Sequence, residues 1–105
     1  MINFEKRLLP KFNGGEGTFE ADMFTDELNK ILKGKLAPGA SIGLHCHETS
    51  SEIIYVLSGS GKMILDGKEE RLKTGDIHYC KKGHSHTFIN DTNEDIVFFA
   101  VVTQQ

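Results

Sequence analysis

His45 and His47 flank Cys46, and Glu52 follows five positions after His47. In an extended strand, residues two apart project to the same face, so both imidazoles point at one spot while Cys46 points away. Residues 48–51 are polar and read as a turn. Glu52 then opens an apolar run, which sets a carboxylate across the hairpin from the imidazole pair. Two nitrogen donors and one oxygen donor on one side of a sheet suit a divalent ion of the Mn, Fe, Co, Ni, Cu or Zn group, and no thiolate is required. All five histidines of the chain fall between His45 and His86. His78 reads as a packed or solvated strand residue, and His84, beside Gly83, as a turn residue.

Positioning those groups calls for a rigid scaffold. Eleven glycines break the chain at short intervals, and the segments between them are rich in Ile, Val, Leu, Phe and Tyr. Strands are expected over 19–24, 31–36, 41–47, 52–57, 61–65, 68–73, 76–80, 86–90 and 96–103. Asp66-Gly67 is a two-residue hairpin signal, because glycine accepts the positive φ of a type I′ turn. Short strands with a turn every eight to twelve residues indicate an all-β sandwich or barrel rather than alternating strands and helices. One stretch, 25–32, has the acidic start and apolar spacing of one or two helical turns, stopped by Gly34. Ile54, Tyr55, Val56, Ile64, Phe88, Phe98 and Val101 are the expected core.

A chain of 105 residues and 11.7 kDa is one domain, long enough to bury a core without a structural metal. Residues 1–17 lack periodicity and are read as an N-terminal arm that covers a sheet edge or pairs with a second subunit; residues 18–105 form the domain. The net charge of −3 is spread without long runs, which argues against nucleic acid and anionic membranes as partners. The longest apolar run, 96–102, is too short to cross a bilayer. The first twelve residues mix Glu5, Lys6, Arg7, Pro10 and Lys11 into their apolar positions and do not read as an export signal. A cytoplasmic location with Cys46 and Cys80 reduced follows as the expectation.

Two segments carry a family resemblance. Gly39, His45, His47, Glu52 and Gly59 fit G(x)5HxH(x)4E(x)6G, and Gly75, Gly83, His86 and Asn90 fit G(x)5PxG(x)2H(x)3N, with Lys81 in place of the proline. These motifs resemble those of the cupin superfamily, and the short stretch between them resembles that of small bacterial cupins. The resemblance implies an antiparallel jelly-roll β-barrel of six to eight strands, a homodimer, and one divalent transition metal held by His45, His47, Glu52 and His86. Asn90 is expected to fix its local turn by hydrogen bonding. Lysine at position 81 gives up the stiffness of the family's proline and adds charge near the turn.

Three neutral imidazoles, one carboxylate and a divalent ion leave a local charge of about +1 in a low-dielectric barrel. A small anionic or oxygen-chelating molecule is the expected ligand. The leading expectation is a metal-dependent enzyme, with dioxygenase first and isomerase or decarboxylase next. The alternative is a non-catalytic cupin that binds or senses a small ligand. No separate acid or base can be assigned among Glu48, His78, Tyr79 and His84.

Overall fold

Aromatic and β-branched residues recur along the chain with polar partners between them, the pattern that fits a half-buried pleated surface. The computed structural model describes residues 1–105. Its ten strands are β1 (Glu5–Pro10), β2 (Thr18–Thr25), β3 (Asn29–Leu36), β4 (Ser41–Cys46), β5 (Ser50–Ser58), β6 (Ser60–Leu65), β7 (Lys68–Lys73), β8 (Ile77–Cys80), β9 (Ser85–Ile89) and β10 (Ile96–Gln104). They form a six-stranded sheet, β1-β2-β3-β10-β5-β8, and a four-stranded sheet, β4-β9-β6-β7, with every pair antiparallel. The two sheets make the jelly-roll β-barrel.

The barrel has ten strands rather than six to eight. Residues 1–17 supply one of the extra strands: β1 pairs with β2 from Glu5↔Met23 to Pro10↔Thr18, at the edge of the larger sheet. A single 3-10 turn, Phe12–Gly14, follows and packs on β4. Gly43 permits that approach, since a Cβ there would lie 2.0 Å from the Asn13 carbonyl oxygen. The β6–β7 hairpin turns at Asp66 and Gly67 with φ of 49° and 81°, the two positive values that a type I′ turn requires.

The helical expectation for 25–32 fails. Asp26 Oδ1 accepts the backbone N–H groups of Leu28 and Asn29 at 2.9 and 2.7 Å, so the acidic residue closes a tight turn instead of starting a helix. From Asn29 onward β3 pairs with β2 on one side and β10 on the other, and these ladders use the backbone groups a helix would need.

Inward-facing residues of both sheets build one core. Phe19, Phe88 and Phe98 are fully buried; Phe19 and Phe98 stack at 5.7 Å and Phe88 meets Phe98 edge-on at 5.5 Å. Burial of each such side chain contributes roughly 1.5–3 kcal/mol. Ile54 and Val56 are in this core as expected, whereas Ile64 and Val101 are only half-buried and Tyr55 is exposed. Strict alternation along β5 explains the last case: with Ile54 and Val56 inside, Tyr55 must face out.

Candidate metal centre

The register shifts between Ile42 and His45, and this bulge sets His45 directly opposite His86 on β9. His47 lies one residue past β4, where its N–H donates to the His84 carbonyl at 3.0 Å and its carbonyl accepts from Gly83 at 2.7 Å. Glu52 is the third residue of β5, in the other sheet, between Cys80 of β8 and Val102 of β10. The barrel thus brings three imidazoles from one sheet against a carboxylate from the other.

The donor atoms of His45, His47, Glu52 and His86 all lie within 4.8 Å of one another. His86 Nε2 is 3.1 Å from His45 Nε2, 3.0 Å from His47 Nε2 and 3.0 Å from Glu52 Oε1. His47 Nε2 is 3.1 Å from the same carboxylate oxygen. His47, Glu52 and His86 are buried and His45 is half-buried.

Proton placement decides what this cluster can hold. His45 Nδ1–H donates to the Gly43 carbonyl at 2.7 Å; a carbonyl only accepts, so the neutral imidazole turns the lone pair of Nε2 inward. Burial lowers the His45 pKa, with the bond to Gly43 opposing and the neighbouring His86 and His47 adding to the shift, so the ring is neutral near pH 7. Burial alone would raise the Glu52 carboxyl, but hydrogen bonds from His47 and His86 more than reverse this and hold it at about 2. The His45 lone pair and an anionic carboxylate therefore face Nε2 of His47 and His86, and the cluster needs positive charge at its centre. A proton on His47 or His86 can supply it; a first-row divalent ion supplies more and satisfies every donor at once. The donor set fits such an ion.

The cluster opens into a cavity of about 560 Å³. Phe19, Leu32, Ile42, Ile54, Phe88 and Phe98 form much of its wall, and the Asp26–Lys30 turn reaches its rim.

The remaining candidates separate clearly. His84 is half-exposed and pairs with Asp66 on the β6–β7 turn, outside the cluster. Glu48 and Tyr79 are exposed, and neither lines the cavity. Cys46 is an exposed free thiol and Cys80 a buried one; burial, followed by the charges of Glu52 and Asp66, pushes the Cys80 thiol up to about 11. Asn90 is fully buried and donates to the carbonyls of Leu36 and Glu94 at 2.8 and 2.7 Å, so it locks the turn before β10. Lys81 and Lys82 are solvated.

Three groups that support the cluster escape a reading by motif. Ser50 Oγ lies 3.0 Å from His47 Nδ1, the Gly43 carbonyl orients His45, and His78 is 2% exposed with Nε2 at 3.0 Å from His86 Nδ1. For His78 the signal was present: Ile77 and Tyr79 flank it as outward residues, so alternation sends the histidine inside.

Comparison with known proteins agrees with this fold. A family model described as a cupin domain matches residues 33–102. An oxalate-binding protein of Thermotoga maritima is 38% identical over 100 residues, covering 90% of this chain and 83% of that protein. The crystal structure of a predicted oxalate decarboxylase from Thermotoga maritima superposes with a TM-score of 0.92 at 30% identity, covering 100% of both chains. The transcriptional activator RhaR of Salmonella arizonae is 32% identical over 72 residues, 67% of this chain but only 25% of the regulator. No helix is long and apolar enough to cross a membrane.

Proposed function

The chain belongs to the cupin family, and on that footing we propose that it binds one divalent transition metal through His45, His47, Glu52 and His86 and, at that centre, a small chelating carboxylate of the oxalate class. The observation that carries this reading is the convergence of four donor atoms within 4.8 Å in the wall of a cavity also lined by Phe19, Ile54, Phe88 and Phe98. A bound ion would supply Lewis acidity and two free positions for oxygen ligands. His45, His47 and His86 bring neutral nitrogen, and Glu52 brings the single negative charge. The net local charge of about +1 favours an anion over a neutral diol. Phe19, Phe88 and Phe98 exclude water and strengthen that preference. Oxalate stands in the names given by both Thermotoga maritima comparisons, which supports it as the ligand to try first.

Decarboxylation is the reaction the second of those names suggests, and oxygen-dependent cleavage is the other enzymatic chemistry the donor set suits. The match to one quarter of RhaR favours a second reading, a small-ligand sensing module without turnover. Metal analysis and calorimetry with oxalate, then with acetate, test the binding step. The expected result is one metal per chain, lost in Glu52→Gln and His47→Ala, and oxalate binding only to the metal-loaded form. Wild-type metal content in both variants would overturn the reading. Formate and carbon dioxide from oxalate identify a decarboxylase, oxygen uptake a dioxygenase, and saturable binding without product the sensing module.

A homodimer belongs to the same proposal. On the outer face of the larger sheet, Phe99, Tyr55 and Ile77 stand in one row and Val101, Ile53 and Tyr79 in the next. Five of these six are exposed, and an apolar block of that kind amid charged surface suits a second copy of the chain. Size-exclusion chromatography of Tyr55→Ser with Tyr79→Ser tests it: a wild-type monomer would refute the dimer. The two free thiols are consistent with a reducing, cytoplasmic setting.

A further inference from the structure

Behind His86 stands a second histidine that no motif requires. His78 points inward from β8 in the larger sheet, and its Nε2 lies 3.0 Å from His86 Nδ1. The ring planes are within 20° of each other with centroids 5.2 Å apart, so the contact runs edge to edge, as a nitrogen-to-nitrogen hydrogen bond demands. On its far side, His78 Nδ1 lies 3.5 Å from Glu70 Oε1 on β7. The side chain of His78 is 1% exposed and that of Glu70 is 55% exposed.

The direction of this chain follows from the inventory of donors. The Glu70 carboxylate lies beyond ordinary hydrogen-bond distance, but its negative charge favours the proton of His78 on Nδ1, which leaves Nε2 bare. His86 Nδ1–H then donates to that nitrogen. With an ion in place, a neutral His86 in this tautomer turns its Nε2 lone pair toward the centre shared with His45, His47 and Glu52; in the metal-free protein the same nitrogen carries the proton that bonds Glu52. Histidine ligands are commonly oriented by one outer acceptor; here an imidazole occupies that place and a carboxylate stands behind it.

We propose that His78, backed by Glu70, is a positioning residue that sets the tautomer and ring orientation of His86 as a metal ligand. This rests on the metal reading above. The 3.0 Å contact makes His78 the larger contributor, and the longer, half-solvated contact makes Glu70 the smaller. An apolar side chain would fill the same volume without the acceptor, so packing alone does not account for the histidine.

The test uses the full chain, cobalt(II) as the probe, and three variants. His78→Leu keeps the packing and removes the acceptor; its cobalt affinity is expected to fall by roughly 10–100-fold. His78→Gln returns an oxygen acceptor near the position of Nε2 and is expected to restore most of that loss. Glu70→Gln is expected to lose less than about tenfold. A merely structural role would lower the unfolding midpoint of the metal-free protein without touching the His86 Nδ1–H bond, so the proton and nitrogen-15 shifts of His86 Nδ1–H in the diamagnetic zinc(II)-loaded protein give the second readout. The His86 Nδ1–H signal is expected to carry the downfield shift of a hydrogen-bonded imidazole in wild type and His78→Gln, and to lose it in His78→Leu. Wild-type cobalt affinity in His78→Leu, or a His86 Nδ1–H shift that is the same in wild type and His78→Leu, overturns the proposal while leaving the metal site intact. Failure of the wild type to bind cobalt overturns the metal reading and this one with it.

Discussion

The barrel interior has two halves built on the same strands. Along β5 the inward residues run Glu52, Ile54, Val56, and along β9 they run His86, Phe88. One half is therefore polar, with His45, His47, Glu52 and His86 clustered and His78 behind His86, and the other is dry, with Phe19, Phe88 and Phe98 packed on Leu36 and Ile96. Dispersion and burial hold the dry half whatever the solution contains. The polar half gathers acceptors whose mutual repulsion is relieved only by a proton or an ion. Stability and function are thus separated along the strands, and each half should respond to different perturbations.

Breaking the dry half has the largest expected effect on folding. Phe98 touches both other rings of the aromatic cluster, and Phe98→Ala is expected to cost about 3–5 kcal/mol through lost burial and the cavity left behind. Urea unfolding of the metal-free protein measures this. An unchanged midpoint would mean that the aromatic half is not what stabilises the barrel.

Filling the polar half comes next. A metal at one hundred times its Kd stabilises the folded state by about 2.7 kcal/mol, because the unfolded chain offers no assembled site. The rise in unfolding midpoint on adding cobalt(II) should vanish in Glu52→Gln and persist in a folded core variant such as Met63→Leu. A rise of equal size in Glu52→Gln would place the bound ion elsewhere.

Acid should act in two stages and chiefly on the polar half, with smaller contributions from the exposed Asp66 and Asp91 carboxyls that His84 and Arg71 hold low. The His45 pKa is lowered from the ordinary 6.5, so below that value the unfolded chain takes up protons the folded one resists, and stability falls as the pH drops. Glu52 moves from 4.5 to about 2; between those values the unfolded carboxyl is protonated while the folded one is not, which removes further stability on the way down. Midpoints of the metal-free protein should therefore decline from near neutrality and again in the carboxylate range. In Glu52→Gln the second stage should shrink; an unaltered acid profile would show that the carboxylate is not held low.

Local spacing made much of this readable in advance. His45, His47 and Glu52 lie within one hairpin, and Asp66-Gly67 defines another, so neighbours in sequence are neighbours in space and the strand period alone orients them. Tyr55 required a further step, the phase of the alternation along β5, which depends on which neighbours the core takes. The turn at Asp26 was hidden because an acidic residue before an apolar run serves a helix start or a tight turn equally well, and only the ladders to β2 and β10 decide between them. The contact of His78 with His86 joins the two sheets, and that of His78 with Glu70 joins β8 to β7. Their spacing carries no signal, since the topology and not the chain brings them together.

The smallest expected effect sharpens the contrast between two histidines that both stand an even number of residues before His86. His84 lies two residues before His86, as His78 lies eight before, and each has a carboxylate partner. His78 is enclosed between the sheets, where its contact to His86 is shielded from solvent. His84 and Asp66 each leave 46% of the side chain in water, where salt screens the pair beyond a Debye length of about 10 Å at 0.1 M, and exposed pairs of this kind contribute little. His84→Ala should therefore leave cobalt affinity and the imidazole shifts of His86 at their wild-type values, with at most a small, salt-sensitive change in unfolding midpoint. The hairpin keeps its turn, because Asp66 Oδ1 still accepts from the Ser85 N–H at 3.0 Å. A loss of cobalt affinity comparable to that of His78→Leu would show that the exposed pair reaches the centre through the backbone bond between the His84 carbonyl and His47, and the division between buried positioning and solvated pairing would have to be redrawn.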